Sequence, residues 1–509
     1  MPTVSIKKWN TGITNDPRDT GEGVCRMSTN FDILTSPHKL VPYRNSNDFD
    51  SSSSTSRKQN FAVALRTGIT YSLYALGVKS GAATAEVLYK NFGTGSATDF
   101  DDATWASPSA NESGSGITSF NLFTYYKKTG LIYGARAGTH IWAFSPTGTA
   151  WADTSHALTY TNISEGLVHS KDDIMYVPYD NNIASNNNGS WNDTAITIPE
   201  HLYITSIAEY GNYIAIGASP LSGVGKAVVY LWDRDTSLTT LSESIQWGDG
   251  LIKVLAEVDG QLVGISQAGA NEQRFTPKIT FRYLIGNRAR TFNEFISESV
   301  GDVASSKQII DNRLYFMMNL TLNGTLRQGV WSIGYDDDSA GFTFAHERTP
   351  ENDTVIDSTT PGSLISFIIT GDYMIQAYKD VTPDWAVSST DFSEGYSATS
   401  IRETTINPHM KAEDRTKDKT LEAVSVSYTP LASWGQVVLK YRVDAETAWS
   451  SAQIIFTETT NATITTEAVI DADGDQFKSG REYEFRLEST GGVEITELKY
   501  KYAINDSQI

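Results

Sequence analysis

The sequence predicts an all-β protein, and three observations support that fold class. No segment keeps apolar residues at helical spacing for more than two turns without a glycine, a proline or a β-branched residue. The 25 tyrosines, 20 phenylalanines and 11 tryptophans, together with many serines and threonines, are typical of strands. Short apolar strands separated by tight polar turns recur along most of the chain. We therefore expect strands rather than helices throughout.

The strand pattern repeats at the spacing of a β-propeller blade. Seven copies of an apolar strand, a tight turn and a second apolar strand have their turns at Gly68, Thr129, Asp172, Gly211, Asp259, Asp311 and Gly371. Successive turns lie 61, 43, 39, 48, 52 and 60 residues apart, close to the roughly 40 to 50 residues of a four-stranded blade. Aspartate, asparagine and glycine suit these turns because two-residue hairpins need positive φ angles.

A closed ring of blades explains why such a repeat would be stable. One blade cannot bury both faces of its own sheet, so its neighbours must cover them, and ring closure removes long exposed edges. We predict a β-propeller of seven blades, within a range of six to eight. The alternative is a run of unrelated meanders in two or more sandwiches.

The residues before and after the repeats predict two further segments. His409–Thr420 is charged and almost free of apolar residues, as in a linker or exposed loop. Six regularly alternating strands follow from Leu421 and predict an antiparallel β-sandwich or jelly-roll-like domain. Asn45–Gln59 contains SSSSTSR and lacks a strand signal, so we expect a flexible loop or an arm that orders on assembly.

The predicted organisation therefore has three parts. Residues 1–60 form an extended N-terminal arm or assembly segment, residues 61–408 the propeller, and residues 409–509 the C-terminal sandwich. Because the arm holds little apolar surface, we expect it to order only in an assembled ring.

Composition and charge limit the classes of function. The chain of 509 residues carries 60 acidic and 40 basic side chains, a formal net charge of -20. Such a protein does not resemble a basic nucleic-acid binder. Hydrophobic residues make up 39%, and with 39 glycines the apolar share is ordinary for a globular protein, which excludes wholesale disorder. The length predicts two or three domains.

The single cysteine and the N-terminus bear on the compartment. Cys25 has no second cysteine with which to pair, so synthesis in a reducing compartment is expected. The first ten residues include Lys7 and Lys8 but no apolar stretch of signal-peptide length. No window approaches the roughly 18 apolar residues of a membrane span. We expect no signal-peptide secretion and no membrane-spanning segment.

Motifs for hydrolysis are weak in this sequence. The nearest approach to a sialidase aspartate box is Ser185–Trp191, which is one residue short and lacks the aspartate. Adjacent aspartates occur at Asp101–Asp102, Asp172–Asp173 and Asp336–Asp338, but general acid–base catalysis needs two carboxyl groups fixed across a pocket. At blade turns, turn formation is the favoured role of these residues. We predict no catalytic residue and expect a protein that is not an enzyme.

Metal and cofactor motifs are also weak. Asp471, Asp473 and Asp475 alternate as calcium ligands do, yet the loop lacks the glycine expected at its sixth position. A solvated hairpin turn is the favoured interpretation, and calcium binding stays an open alternative. The seven histidines never fall at metal-ligand spacing, and no nucleophile elbow or phosphate loop occurs. We predict no metal ligand and no cofactor.

Three tryptophans occupy equivalent places in the repeat. Trp142, Trp232 and Trp331 lie in the third strand of the second, fourth and sixth copies. We expect them to pack between blades. The alternative is a sugar-binding belt.

Both ends of the chain resemble tailed-bacteriophage virion proteins. In Trp9–Ile33, the residues Trp9, Gly12 and Ile13 match an opening aromatic-x-Gly-Gly/Thr-Gly-Ile phrase, and Asn30, Asp32 and Ile33 match a later Asn-x-Asp-Ile phrase. The usual glycine-rich sequel is replaced by LTSPHKLVPYRN. The C-terminal segments KTLEAVSVSY, KYRVDAETAWSSA and YEFRLES resemble modules common in such proteins. An arm, a propeller and a terminal sandwich together are similar to tail hub or nozzle subunits of short-tailed phages.

The resemblance implies a structural subunit of an oligomeric ring in the phage tail or neck. Its partners would be identical subunits, with a hexamer expected, and neighbouring tail or neck proteins. Phage DNA would pass through only transiently, and the protein would be made in the host cytoplasm and reside in the virion. An acidic ring would repel phosphate and let DNA slide, although an acidic surface also keeps many proteins soluble. The alternatives are a receptor- or glycan-binding tail protein and a polysaccharide-degrading enzyme.

Overall fold

A computed structural model describes the protein over 26 stretches of the chain. They are residues 3–9, 25–29, 31–32, 38–42, 46–48, 56–67, 70–79, 85–91, 120–136, 140–148, 151–157, 165–220, 225–237, 241–268, 278–296, 301–322, 325–336, 341–348, 364–371, 373–379, 385–392, 402–406, 417–444, 453–460, 463–469 and 477–505. All regular secondary structure in these stretches is β-strand, as predicted. None of the described residues form an apolar helix of membrane-spanning length.

Five short strands precede the repeats. They are β1 (Thr3–Ile6), β2 (Cys25–Thr29), β3 (Phe31–Asp32), β4 (Val41–Pro42) and β5 (Ser46–Asp48).

Seven antiparallel sheets then follow one another along the chain, and within each the repeat strands pair in sequence order. Sheet 1 contains β6 (Ser56–Thr67), β7 (Thr70–Lys79) and β8 (Ala85–Asn91); sheet 2 contains β9 (Phe120–Tyr126), β10 (Leu131–Arg136), β11 (His140–Phe144) and β12 (Trp151–Ala157); sheet 3 contains β13 (Leu167–Val168), β14 (Met175–Tyr179), β15 (Asn182–Asn187) and β16 (Ser190–Thr197); sheet 4 contains β17 (Tyr203–Tyr210), β18 (Tyr213–Ser219), β19 (Lys226–Trp232) and β20 (Glu243–Asp249). Sheet 5 contains β21 (Leu251–Val258), β22 (Gln261–Ala268), β23 (Lys278–Ile285) and β24 (Arg288–Ile296); sheet 6 contains β25 (Asp302–Ile310), β26 (Arg313–Leu322), β27 (Thr325–Asp336) and β28 (Gly341–Arg348); sheet 7 contains β29 (Leu364–Thr370), β30 (Tyr373–Lys379), β31 (Trp385–Asp391) and the early strand β5.

Each predicted turn lies between the first two strands of one of these sheets. Asp259 and Asp311 adopt left-handed φ angles of 49°, and Gly211 and Gly371 have φ angles of 58° and 55°. These are the conformations for which small polar residues and glycine carry the least steric penalty. Gly68 lies outside the described residues, between the paired strands β6 and β7.

Contacts divide the chain into two units. The large unit comprises Ser46–Val330 and Thr354–Thr390, and the terminal unit comprises Met1–Asn45, Trp331–Asp353 and Asp391–Ile509. By contacts, residues 1–45 group with the C-terminal residues; the N-terminal arm or assembly segment over residues 1–60 stays a prediction.

Successive sheets of the large unit pack face against face, as in a β-propeller. Apolar side chains from sheets 1 and 2, sheets 2 and 3, sheets 3 and 4, and sheets 4 and 5 form shared buried clusters. Phe281 of sheet 5 contacts Phe316 of sheet 6, with ring centroids 6.0 Å apart. Strand β25 contacts β29, and β29 contacts β6, so sheet 7 packs on sheet 1. Each sheet thus covers a face of the next.

A strand from early in the chain joins the last sheet. Strand β5 pairs antiparallel with β31, with Asp48 opposite Ser388 and Ser46 opposite Thr390. The sequence predicted no strand between Asn45 and Gln59, yet Ser46–Asp48 is a strand and β6 already begins at Ser56. Three polar residues carry no recognisable period, so this strand exists because the edge of sheet 7 offers backbone partners.

Two larger sheets and the two-stranded sheet of β3 and β4 lie in the terminal unit, which also includes β28 of sheet 6. Its remaining strands are β32 (Arg402–Ile406), β33 (Lys419–Tyr428), β34 (Gln436–Val443), β35 (Gln453–Glu458), β36 (Thr465–Val469), β37 (Tyr483–Thr490) and β38 (Ile495–Ile504). One sheet has the order β1-β38-β33-β36 and the other the order β2-β32-β37-β34-β35; β3 pairs with β4.

Both sheets of the terminal unit recruit a strand from the N-terminal residues. Strand β1 pairs with β38, placing Thr3 opposite Lys501 and Ile6 opposite Leu498. Phe485 of β37 meets Tyr500 of β38 with ring centroids 5.5 Å apart, which joins the two sheets. Alternate residues of β33 and β34 are buried, the period expected of strands with one covered face.

Candidate functional site

Lys307 in β25 makes three hydrogen bonds to neighbouring sheets of the large unit. Its ammonium donates hydrogen bonds to the carbonyl oxygens of Ile207 (2.5 Å) and Leu255 (2.7 Å) and to Ser206 Oγ (3.3 Å). These acceptors belong to β17 and β21, the first strands of sheets 4 and 5, and Lys307 lies on the first strand of sheet 6. One ammonium, with three N–H donors, therefore ties three consecutive sheets together.

Glu165, just before β13, is the acidic partner of this lysine. Burial raises the pKa of Glu165 to about 7, and the charge of Lys307 opposes that increase. Burial lowers the pKa of Lys307 to about 8, and the charge of Glu165 opposes that decrease. Glu165 keeps exposed surface, so its desolvation comes from protein that surrounds it without sealing it off. Lys307 is half-buried.

The chemistry open to this lysine is restricted by its hydrogen bonds. A nucleophilic or basic lysine needs a free lone pair directed at a substrate. Here all three donors have carbonyl or hydroxyl acceptors, an arrangement that favours the protonated form. The arrangement holds strands in register.

Side-chain-to-backbone hydrogen bonds join neighbouring sheets elsewhere in the large unit. Gln308 Nε2 donates to the Ile369 carbonyl and Gln308 Oε1 accepts from the Ile369 N–H, both at 2.7 Å. Ser206 Oγ accepts from the Leu255 N–H at 3.1 Å, and Ser219 Oγ accepts from the Ile252 N–H at 2.9 Å. A glutamine or serine on one sheet thus satisfies the backbone of the next sheet's first strand, where no strand neighbour is present.

A second polar cluster, the His169 cluster, joins sheets 3 and 4. His169 is fully buried, and its Nδ1 accepts a hydrogen bond from the Lys171 N–H at 3.2 Å. Arg234 Nη1 lies 3.0 Å from the same Nδ1 and 2.5 Å from Asp172 Oδ2. Because arginine can only donate, Nδ1 is an acceptor and the histidine proton resides on Nε2. This Nε2 lies 3.9 Å from Glu209 Oε1 and has no hydrogen-bond acceptor among the described residues.

The electrostatics of the cluster keep His169 neutral. Burial is the largest cause that lowers its pKa, and Arg234 and Lys171 add to the decrease, whereas Glu209 and Asp172 oppose it. Asp172 also accepts hydrogen bonds from the Ile174 N–H (3.1 Å) and the Tyr176 hydroxyl (3.2 Å). An arginine among these donors and acceptors repels a divalent cation, so the set does not fit a metal site. The cluster fixes the loop before β14 against sheet 4.

The residues predicted from sequence motifs are only partly described. Asp172 and Asp173 lie in the turn before β14, and Asp173 has a left-handed φ angle of 51°, so both are turn formers as expected. Asp336 ends β27. Asp101–Asp102, Asp337–Asp338, Asp471, Asp473 and Asp475 lie outside the described residues. No group of three or more His, Cys, Asp or Glu side chains is arranged for a metal ion within the described stretches.

The aspartate-box-like stretch is a hairpin turn. Asn188 and Gly189 have φ angles of 53° and 90° between β15 and β16, and Gly189 N–H donates to Asn186 Oδ1 at 2.7 Å. Trp191 then packs against Tyr133, with ring centroids 5.9 Å apart. The favoured interpretation, a turn before a strand, agrees with this geometry.

The three repeat tryptophans belong to buried packing. Trp232 and Trp331 are fully buried, and Trp142 is half-buried against the cluster that joins sheets 1 and 2. Trp232 meets Tyr176 edge-to-face at 5.6 Å, across the boundary between sheets 3 and 4. The buried pair has no open ring surface for a sugar.

Sequence reasoning missed the lysine and the His169 cluster. Lys307 is 100 residues from Ile207 and 52 from Leu255, and Arg234 is 65 residues from His169. No local spacing marks such partners. The local signal that could have drawn attention to Lys307 is a charged residue inside the strand segment SSKQII.

Comparisons with known proteins add little beyond the fold. No protein-family model matches the chain, and no curated protein matches it. A solved structure described as "Structure of Dos1 propeller" matches 69% of this chain and 96% of that chain, with 11% sequence identity and a TM-score of 0.40. A likeness at this level supports no statement about activity or partners.

Proposed function

We propose that this chain is a structural protein of a tailed-bacteriophage virion, without enzymatic activity. It would be one subunit of an oligomeric ring in the tail hub or nozzle, or in the neck, and the ring would form part of the genome-exit channel. The large unit would be a seven-bladed propeller with one blade per sheet, and the terminal unit a β-sandwich.

The observation that carries the proposal is the folding of the phage-like N-terminal segment into the C-terminal sheets. Trp9 is fully buried and its indole N–H donates to the Thr496 carbonyl at 3.4 Å. Phe31 is also fully buried, and Leu40 exchanges backbone hydrogen bonds with Ile495 at 2.8 and 3.1 Å. The two regions that resemble virion proteins thus belong to one unit. Their residues have a packing role that explains why an aromatic opens the segment.

The use of polar groups in the large unit also favours a scaffold. Lys307, Gln308 and the His169 cluster form hydrogen bonds with neighbouring sheets. Rigidity gained in this way suits a part that must keep its shape while mechanical force passes through its assembly.

Charge is consistent with a channel protein. At a net charge of -20, a ring of copies would repel DNA phosphates and let the genome slide through without binding.

The test is the assembly state of the full chain and its place in a virion. We expect native mass spectrometry and electron micrographs of the purified protein to show a closed ring of identical copies. Antibodies raised against the protein should label the tail or neck of the virions that carry it. A strictly monomeric protein that is absent from purified virions would contradict the proposal. Catalytic depolymerisation of a polysaccharide by the purified chain would favour the enzyme alternative.

A further inference from the structure

The fourth strands of sheets 2 to 5 differ in charge. Strands β12, β16 and β20 contain aspartate or glutamate but no lysine or arginine, whereas β24 carries Arg288 and Arg290. Both arginines are exposed. Neither guanidinium forms an ion pair within the part of the chain that the structure describes. Strand β24 is therefore a basic outer edge in a chain with a net charge of -20.

Apolar side chains lie beside the two arginines. Arg288 is directly opposite Ile285 in the pairing of β24 with β23, and Arg290 is directly opposite Tyr283. Because directly opposed side chains share a face of the sheet, these four residues form one surface, which we call the arginine surface. Ile285 is 43% exposed, and Tyr283 packs on Phe292 with ring centroids 5.9 Å apart. Arginine next to aromatic and apolar groups is typical of protein interfaces.

The outer strands of sheets 2 and 3 form a surface of opposite charge. His156 of β12 contacts Trp191 of β16, with ring centroids 5.2 Å apart. The Nδ1 atom of His156 also lies 3.5 Å from Asp193 Oδ1. Strand β12 adds Asp153, and both aspartates are exposed. We call these four residues the acidic surface.

Backbone pairing between such outer strands is disfavoured. The register shifts where β12, β16 and β24 each pair with the third strand of their sheet, and each shift leaves extra residues in the outer strand. Bulges of this kind oppose the addition of another strand at a sheet edge. A contact between copies at these edges therefore depends on side chains.

Charge decides which surfaces of two copies meet. Two arginine surfaces repel each other, as do two acidic surfaces, whereas an arginine surface attracts an acidic one. The contact therefore joins two different surfaces. Such a head-to-tail contact generates a ring when its rotation closes, which a two-fold contact does not.

We propose that the arginine surface of one copy binds the acidic surface of the next copy and so joins the subunits of the ring. Arg288 and Arg290 pair with the carboxylates of Asp153 and Asp193, and Ile285 is covered in the contact. The inference rests on the ring proposed above and adds which surfaces form it. Because the attraction is between charges at the protein surface, assembly weakens as the salt concentration rises.

The test is native mass spectrometry and sedimentation velocity of the full chain. The double variants Arg288→Glu/Arg290→Glu and Asp153→Lys/Asp193→Lys should each raise the dissociation constant of the assembly at least about tenfold, because like charges then face each other. An equimolar mixture of the two variants should assemble again. In an alternating ring, every contact between the two variants joins opposite charges, and reassembly also shows that both variants are folded.

Lys127→Glu/Lys499→Glu is the matched control. It makes the same change in net charge as the arginine variant, at two exposed lysines outside both surfaces, and should assemble like the parent. Three results overturn the inference and leave the ring standing: a parent ring that the arginine variant forms equally well, a mixture that stays unassembled, or a control that loses assembly as the arginine variant does. A monomeric parent chain overturns the ring and the inference together.

Discussion

Replacement of Trp9 by alanine should destabilise the terminal unit strongly, even in the isolated chain. Trp9 is fully buried, follows β1 and donates a hydrogen bond to the carbonyl of Thr496 in β38. This prediction competes with the expectation from sequence that residues 1–60 order only in an assembled ring. If residues 1–60 order only on assembly, the substitution should leave the free energy of unfolding of the isolated chain unchanged.

The magnitude follows from the buried surface. A tryptophan buries about 150–250 Å², which at about 25 cal/mol per Å² corresponds to roughly 4–6 kcal/mol as an upper bound. Measured tryptophan-to-alanine changes in cores cost about 3–5 kcal/mol once partial collapse is included. The indole hydrogen bond is long at 3.4 Å and adds little. With a urea dependence of about 2 kcal/mol per molar, the midpoint should fall by roughly 1.5–2.5 M.

The assay is urea denaturation of the full chain, with hydrogen exchange of peptides from β38 to report on the terminal unit specifically. Trp434→Ala is a matched control, since it removes the same side chain from an exposed place and should change the free energy of unfolding by less than about 1 kcal/mol. An unchanged midpoint and unchanged β38 protection in Trp9→Ala would refute the argument and favour ordering on assembly.

Three further predictions concern the large unit. Lys307→Met should lower its free energy of unfolding by about 1–3 kcal/mol, because two carbonyl oxygens lose a charged donor; urea midpoints test this, and an equal or higher midpoint would count against it. The pKa of His169 lies below the ordinary value of about 6.5, so the unfolded chain takes up the proton first and stability should fall as pH drops below about 6.5. The measurement is the difference in melting temperature between the parent and His169→Gln as a function of pH. This difference cancels the contribution of Glu165, whose raised pKa makes stability rise as pH falls from about 7 to about 4.5. A difference that does not depend on pH would contradict the prediction for His169. Gly217→Val should cost about 1–3 kcal/mol in thermal or urea unfolding, because even a Cβ there would lie 2.9 Å from Leu255 Cδ1, and a neutral result would contradict the tight packing.

Local chemistry was sufficient to predict the strands and their first hairpins. Turns such as Gly211-Asn212 and Asp259-Gly260 are specified by residues that tolerate positive φ angles, and the apolar strands flank them directly. Both sides of each hairpin lie within about ten residues of the turn. The period of the repeat then predicts a propeller because exposed sheet faces must be covered.

The polar sites could not be predicted in the same way. Lys307 is recognisable as a sheet-joining group only when β17, β21 and β25 are placed side by side. The partners of His169 likewise come from two sheets. Sequence patterns report local periodicity, whereas these sites depend on which loops the topology brings together.

The early strands β1 and β5 each pair with a partner that lies far along the sequence. Strand β5 completes sheet 7 by pairing with β31, and β1 completes a sheet of the terminal unit by pairing with β38. Neither pairing can form until nearly the whole intervening chain is in place, because the partners are separated by about 340 and 500 residues. Closing such long loops costs little more entropy than closing medium ones, but it slows folding. The polar composition of Ser46–Asp48 is consistent with this order of events. A strand that stays unpaired during folding is less prone to aggregate when it has no apolar face.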